Sequence, residues 1–260
     1  ERDIQKQAKW PLTDATVAKA LEILLHDQPR AVGLDIYRDI PVPPGRKELD
    51  TILTKNHNII TAMKFGGDEK VGIPPPPILK DTDQIGFNDV IVDPGGIVRR
   101  ALLFLDDGKK VFYSFALRLA LLYLRAEGIT PQPDPVHSEH LELGKRTIRP
   151  FGANDGGYIG ADARGYQFLL NFRNSPKPFS SFSLSTLLSS QIHPEAIKNK
   201  IVLIGTKTEG VKDFFYTPLS RGLGSDQQTS GVALHAQIIS ALLGFALQGD
   251  SSTSTLRDWQ

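Results

Sequence analysis

Two short apolar runs limit most strongly what this chain can fold into. They are AVGLDIY at 31–37 and KIVLIG at 200–205, and KIVLIG is the clearest candidate for a buried strand. Neither run has the apolar–polar alternation of a strand with one wet face, so both predict strands that are covered on both faces. Strands of this kind belong to parallel sheets flanked by helices. The two runs therefore predict an α/β protein.

The chain around the first run has the pattern of a β–α–β unit. Leu49, Ile52 and Leu53 are spaced for burial on one face of a predicted helix at 46–56, and the apolar run NIITAMKF follows at 58–65. A strand, a helix and a second strand in this order predict two neighbouring parallel strands joined by a right-handed crossover.

Turn signals divide the next part of the chain. The segments DPGG at 93–96 and DDG at 106–108 have the residues and the spacing of hairpin turns. We therefore predict an antiparallel meander with strands at about 86–92, 97–105 and 110–113.

The remaining elements follow from the same criteria. Helices are predicted at 14–26, 115–126 (capped by Ser114), 183–190 and 232–247, and strands at 140–143, 146–149 and 167–172. The fold class is thus α/β, with a mixed sheet that has a parallel β–α–β core, an antiparallel meander and flanking helices. We expect one domain over residues 1–250 and a membrane-proximal tail at 251–260.

Composition excludes several classes of function. The 260 residues contain no cysteine, which excludes disulfide scaffolds, cysteine-ligated zinc and cysteine nucleophiles. A net charge of +1 gives no overall attraction to nucleic acid, and no nucleic-acid partner is expected. The six histidines are scattered, and the one close pair, His137 and His140, lacks a third ligand, so no metal or other cofactor is expected. No apolar run reaches the 18 residues of a membrane helix.

Polar residues follow the two predicted strands where ligands of α/β proteins bind. Asp35 stands near the end of the first run, and Asp213 follows the second run and could face Asp35 across the strand ends. His235 lies in the first turns of the last helix, after Gly231, where backbone donors could hold an anion. A loop anchor and a buried, hydrogen-bonded histidine are the competing interpretations of these residues, and both stay open here. Sequence motifs for a nucleophile elbow and for nucleotide phosphates are absent.

The order of short motifs along the chain resembles that of a known family, the CHASE type 2 domain. A Trp-Pro pair at 10–11 and a helix precede AVGLDIY, as in the family. IGFNDVIVDPGGIVRR is similar to a family hairpin, GF-N…D-x-G-x-x-R, through Gly86, Phe87, Asn88, Asp93, Gly96 and Arg99. LLNFR is similar to the family's I-N-Y/F-R-G strand through Asn171 and Arg173, with Asn174 in the place of glycine.

The later motifs continue the resemblance. KIVLIGTKTEGVKDFFYTPLS is similar to GKIVLIG…D-x-F-x-TP through Gly205, Asp213, Phe215, Thr217 and Pro218. SGVALHAQII is similar to the GVEIHA helix start through Gly231, Val232, His235 and Ala236, with Ala233 where an acidic residue is common. The match covers the chain from about Trp10 to Leu243.

The resemblance implies a sensory module on the outer side of a bacterial inner or plasma membrane. In the family such a module is the non-catalytic input domain of adenylate cyclases, histidine kinases, serine/threonine kinases and diguanylate cyclases, flanked by membrane helices. We expect the terminal helices to relay a signal to a cytoplasmic cyclase or kinase domain. The signal would be the binding of an unknown small-molecule or ionic ligand, or another environmental cue. A homodimer is expected because such outputs work in pairs.

The candidate ligand-binding residues are Asp35, Arg99, Asn171, Asp213, Thr217 and His235. The competing interpretation is that these side chains only hold loops to the sheet. The alternative function is an α/β hydrolase-like or phosphate-handling enzyme that uses Asp35, Asp213 and His235. A dimerisation or spacer module without a ligand is a third possibility.

Overall fold

The computed structural model describes residues 11–66, 71–106, 108–172, 179–207, 213–222, 225–226 and 228–251. Within these ranges the α-helices are α1 (Asp14–His26), α2 (Arg46–Lys55), α3 (Phe115–Arg125), α4 (Leu184–Leu188) and α5 (Gly231–Leu243). A π-helical turn over Gly244–Gln248 continues α5. Short 3₁₀ turns cover Pro77–Leu79 and Pro194–Ala196.

The strands of the same ranges fall into several small sheets. They are β1 (Ala31–Leu34), β2 (Ile59–Met63), β3 (Ile85–Phe87), β4 (Arg100–Asp106), β5 (Val111–Tyr113), β6 (Gln132–Pro133), β7 (Leu141–Leu143), β8 (Arg146–Ile148), β9 (Tyr166–Leu169), β10 (Ile201–Ile204), β11 (Phe214–Phe215), β12 (Arg221–Gly222), β13 (Ser225–Asp226) and β14 (Thr229–Ser230). The α/β class and the mixture of parallel and antiparallel sheets agree with the sequence prediction.

A four-stranded parallel sheet with the order β10-β1-β2-β3 forms the centre of the fold. β1 pairs with β10 from Ala31↔Ile201 to Leu34↔Ile204, and with β2 on its other side, as the β–α–β pattern predicted. β10 is an edge strand whose side chains are only half-buried. The strand predicted in KIVLIG is therefore present, but it is less buried than β1 and β2. The prediction of a buried strand was made from apolar content, which does not show position in the sheet.

The predicted antiparallel meander is confirmed only in part. β4 and β5 form an antiparallel pair, and β9 joins β4 on its other side. The segment predicted as the first meander strand, 86–92, instead contributes β3, which pairs in parallel with β2. A turn signal acts on near neighbours, whereas β3 is placed by long-range packing: a Cβ on Gly86 would lie 2.5 Å from the Cα of Phe115 in α3.

Helices cover both faces of the central sheet, so the fold has three layers. On one face, Ala31 and Ile60 pack in an apolar cluster with α3 and α5. On the other face, Val32 and Leu34 pack with α1, α2 and α4. Neighbouring residues of β1 point in turn into one apolar cluster and then the other. Because both faces of the strand are buried in this way, its sequence is apolar throughout.

Local signals set the start of the helix that covers the first face. The Ser114 hydroxyl accepts a hydrogen bond from the Leu117 amide at 3.1 Å, so the predicted cap of α3 is confirmed. In contrast, Gly231–Gln248 is, within the described ranges, the one helical run long and apolar enough to cross a membrane by length and composition, which the sequence analysis did not anticipate. Since 61% of this run is buried in the fold, it is a core helix here.

Some predictions fall on residues outside the described ranges. These are the predicted tail from residue 252 onward, and Trp10, Arg173 and Asn174 of the family motifs. The division into one domain at 1–250 and a tail stays a prediction.

Candidate functional site

Charged side chains gather at the carboxyl edge of the central sheet. Asp35 directly follows β1, Lys64 follows β2, and Asn88 and Asp89 follow β3. Because the strands are parallel, their ends meet at one edge, which is where ligands of open α/β sheets bind. We give the name strand-end crevice to this set together with Asp213, which directly precedes β11, and His235 of α5. Its members are Asp35, Lys64, Asn88, Asp89, Asp213 and His235.

A chain of hydrogen bonds joins the ends of β1 and β3. The side-chain amide of Asn88 donates to Oδ1 of Asp35 at 2.9 Å, and its oxygen accepts from the Tyr37 hydroxyl at 2.9 Å. Burial raises the pKa of Tyr37 to about 12. The hydrogen bond to Asn88 acts to lower this pKa, and the charges of nearby aspartates act to raise it. One oxygen of Asp35 is therefore committed to a structural role.

Asp89 holds the chain that leaves β2. Its Oδ2 accepts a hydrogen bond from the backbone N–H of Phe65 at 2.9 Å. Burial raises the pKa of Asp89, and the Phe65 bond and the charge of Lys64 partly oppose that rise. Asp89 thus combines a loop anchor with a carboxylate that favours a proton or a nearby cation.

The carboxylate of Asp213 lies against the start of α5. The Gly231 amide donates to the Asp213 carbonyl oxygen at 2.9 Å. A Cβ on residue 231 would lie 2.1 Å from Oδ2 of Asp213, so glycine leaves the space that this carboxylate occupies. Burial raises the pKa of Asp213, and the charge of Asp35 raises it further. The end of β1 and the start of α5 both adjoin the end of β10, since the Asp35 amide donates to the Ile204 carbonyl oxygen at 2.8 Å and a Cβ on Gly205 would lie 2.7 Å from that of Val232.

His235 is buried one turn further along α5, on the helix face that Gly231 opens. Its side chain is 4% exposed and packs edge-on to Phe115, with ring centroids 5.4 Å apart. In its protonated form His235 would act to lower the pKa of both Asp89 and Asp213. The Nδ1 atom is buried and has no hydrogen-bonding partner in the described part of the chain. The side chain is buried, as one of the two sequence interpretations had it, but this nitrogen is not hydrogen-bonded.

Three of the six predicted ligand residues lie elsewhere. The Thr217 hydroxyl is buried and pairs with the Ser220 hydroxyl at 3.0 Å, closing the turn after β11. Arg99 is 41% exposed and donates to Oδ2 of Asp93 at 3.1 Å. Asn171 lines a cavity near the far end of α5. Only Asp35, Asp213 and His235 come together, and a ligand role for any of the six stays a prediction.

The motif residue Asp93 belongs to a buried ion pair. Its Oδ1 accepts from Nε and Nη2 of Arg100 at 2.9 and 2.6 Å, and its Oδ2 accepts from the Tyr158 hydroxyl at 2.6 Å. Burial acts to raise the pKa of Asp93, but the bonds from Tyr158, Arg100 and Arg99 outweigh it, so the pKa is lowered. This arrangement fixes the turn before β4 and accounts for Arg99 without a ligand.

Two cavities open away from the crevice. One, of about 450 Å³, lies between α1 and α4 and is lined by Ile23 and Leu187, among others. The other, of about 500 Å³, lies at the end of α5 and includes Asn171 and Phe245 in its lining. In the described ranges no group of three or more acidic or histidine side chains is arranged to hold a metal ion. Charge and hydrogen bonding are therefore the properties of the crevice that limit which ligands fit it.

The sequence analysis missed Lys64 and Asp89 and recognised Asn88 only as a motif residue. The rule that found Asp35, which takes the first polar residue after a parallel strand, would have found them too. It failed because the strands were predicted to run to residues 65 and 92, whereas β2 ends at Met63 and β3 at Phe87. The signal was present, but the strand ends were misplaced.

A parallel sheet covered on both faces by helices, with charged side chains at its strand ends, defines an open-sheet α/β domain. The family model described as the CHASE2 domain matches residues 1–260, the whole chain, so the chain belongs to the CHASE2 family. CHASE2 domains are extracellular sensory parts of membrane receptors. No curated protein and no solved structure matches the chain.

Proposed function

We propose that this chain is the input domain of a bacterial transmembrane receptor, lies outside the cytoplasm and is itself non-catalytic. Its membership of the CHASE2 family over its whole length carries the proposal. The output attached to it is a cytoplasmic cyclase or kinase domain, reached through membrane helices that flank the chain.

The position of α5 supports a route for the signal. Its first two turns carry Gly231 and His235 at the crevice. With the π-helical turn the helical run is 18 residues long and ends at Gln248. A helix of this length spans roughly 25 Å. A ligand that prefers one arrangement of the crevice would shift the population of α5 positions and so move the far end of the helix. A homodimer would let two such helices act together on a paired output.

Two experiments test the proposal at different levels. The complete reading frame should encode an apolar segment of about 20 residues on each side of this domain. Alkaline phosphatase fused within the domain should be active, because the enzyme requires export. A reading frame without membrane segments, or an inactive fusion whose expression is verified, would contradict the proposal.

The enzyme alternative has its own test, since Asp35, Asp213 and His235 do lie together. The purified chain should not turn over ester or phosphate-ester substrates. Hydrolysis that is lost in His235→Ala, with circular dichroism unchanged, would overturn the non-catalytic assignment. Sedimentation of the chain over a range of concentrations tests the homodimer, and a monomer at all concentrations would argue against dimerisation by this domain alone.

A further inference from the structure

We propose that the strand-end crevice binds a protonated primary amine, held by Asp213 and Asp35, with His235 as the third acceptor. The inference rests on the proposed function, because it names the class of ligand that the sensory crevice takes.

The charge of the crevice favours a cation. Three carboxylates, those of Asp35, Asp89 and Asp213, come from three segments of the chain, and the exposed ammonium of Lys64 acts on the last two. With three negative groups and one positive group, the crevice keeps a net negative charge when His235 is neutral. The ammonium group of Lys64 already offsets part of this negative charge.

The start of α5 does not favour an anion, although a helix N-terminus usually does. The carboxylate of Asp213 occupies that position, where it would lie 2.1 Å from a Cβ on residue 231. An incoming anion would meet this like charge and the nearby charge of Asp35. The carboxylate of Asp213 therefore takes the place of the anionic ligand that the sequence analysis considered at this helix start.

The unused hydrogen-bond acceptors match an ammonium group. One oxygen of Asp89 accepts from Phe65, and one oxygen of Asp35 accepts from Asn88. No residue in the described ranges donates to the carboxylate of Asp213. The buried Nδ1 of His235 has no partner in those ranges either.

An ammonium group has three N–H donors. Asp213, the second oxygen of Asp35 and the imidazole of His235 supply three acceptors. A metal ion is disfavoured, because the described residues, these three included, hold no group of side chains close enough together to ligate one. An ammonium group hydrogen-bonds at about 2.7–2.9 Å, which is longer than the distance from a metal ion to its ligands. The orphaned histidine nitrogen is the feature that separates this arrangement from an ordinary acidic surface.

Titration of the 260-residue chain at pH 7 and constant ionic strength tests the inference. The probes are ethylammonium and 1,4-diaminobutane, compared with tetramethylammonium, which has the same charge type but no N–H donor, and with calcium chloride. We expect the two primary amines to raise the melting temperature with concentration, because they bind the folded chain. Tetramethylammonium should give no shift beyond that of sodium chloride.

Two variants locate the site. Asp213→Asn should weaken binding of the primary amines at least about tenfold, since it removes a charge-assisted hydrogen bond. Asp35→Asn is a second variant with the same expectation, should Asp213→Asn fail to fold. The matched control is Asp81→Asn, before β3 and so at the opposite edge of the sheet, where the side chain is 74% exposed. Residue 81 has φ +64°, which asparagine tolerates, so affinity should stay within about twofold.

Several results would overturn the inference. These are equal shifts from tetramethylammonium, a shift from calcium alone, unchanged affinity in folded Asp213→Asn, or no shift from either primary amine at 100-fold the protein concentration and above. Each of these removes the amine and leaves the receptor assignment intact, because that assignment depends on the membrane segments and the fusion. Loss of the membrane segments would remove the receptor assignment whatever the titration gives.

Discussion

Replacing Gly231 with alanine tests the contact that places Asp213 in the crevice. The new Cβ would lie 2.1 Å from Oδ2 and 2.6 Å from Cγ of Asp213, whereas ordinary van der Waals contact begins at 3.4 Å. The carboxylate must therefore move by more than about 1 Å, because atoms cannot approach so far inside contact distance. This displacement would take Asp213 out of its position beside Asp35 and His235.

The effect on stability combines two opposing contributions. Alanine gains about 0.4–1 kcal/mol over glycine, since it restricts the unfolded chain and suits a helix. The steric strain of displacing the buried Asp213 carboxylate opposes this gain. We expect the free energy of unfolding of Gly231→Ala to change by less than about 1 kcal/mol. The variant should therefore fold, yet bind ethylammonium more weakly.

A double-mutant cycle isolates the contact. In the Asp213→Ala background the clash is absent, so Gly231→Ala should show the full helix gain. Urea unfolding of the four proteins should give an unfavourable interaction energy of about 1 kcal/mol. Additivity within about 0.3 kcal/mol, or unchanged ethylammonium affinity in Gly231→Ala, would show that Asp213 does not occupy this position.

Three further predictions concern the stability of the fold. Arg100→Met should lower the free energy of unfolding in urea by about 3–5 kcal/mol, because it leaves Asp93 buried without its main partner. Arg99→Ala should lower it by under about 1 kcal/mol, because the Arg99 side chain is 41% exposed. Equal losses in the two variants would contradict this. Gly33→Ala should cost about 1–3 kcal/mol in the same assay, since its Cβ would lie 2.7 Å from three core side-chain atoms, and a stabilised variant would refute the packing. Asp213→Asn should be more stable than wild type at pH 7. Because the folded state raises the pKa of Asp213, ionising this carboxyl at a pH above its ordinary pKa of 3.8 costs stability, and only in the wild type. A gain that does not fade as the pH falls to 3 would count against this.

Local signals in the sequence predicted much of the fold. Ser114 marks the start of α3, and the apolar runs at 31–37 and 58–65 mark two neighbouring parallel strands. The sequence did not reveal the pairing of β3 with β2, because a run of three residues carries no information about a partner 24 residues earlier. The closeness of Gly86 to Phe115 belongs to the tertiary structure.

Residues of the crevice could be predicted only where the end of a strand was placed correctly in the sequence. Asp35 and Asp213 were chosen because polar residues after buried strands meet at one edge, and His235 because it lies in the first turns of the last helix. Arg99 and Thr217 were chosen from motifs, and a motif does not distinguish a ligand contact from an ion pair with Asp93 or a turn closed by Ser220. The missing partner of the His235 Nδ1 depends on every surrounding group, so no sequence pattern could have shown it.

An amide-resolved NMR titration of the chain with ethylammonium tests the central claim most directly, since it shows where the ligand binds. The account predicts saturable shifts at the residues that follow β1, β2 and β3 and at the start of α5, together with a change in the imidazole nitrogen signals of His235. Shifts confined to the cavity between α1 and α4, or to the cavity beside Asn171, would contradict it. So would a histidine signal that does not respond to saturating amine.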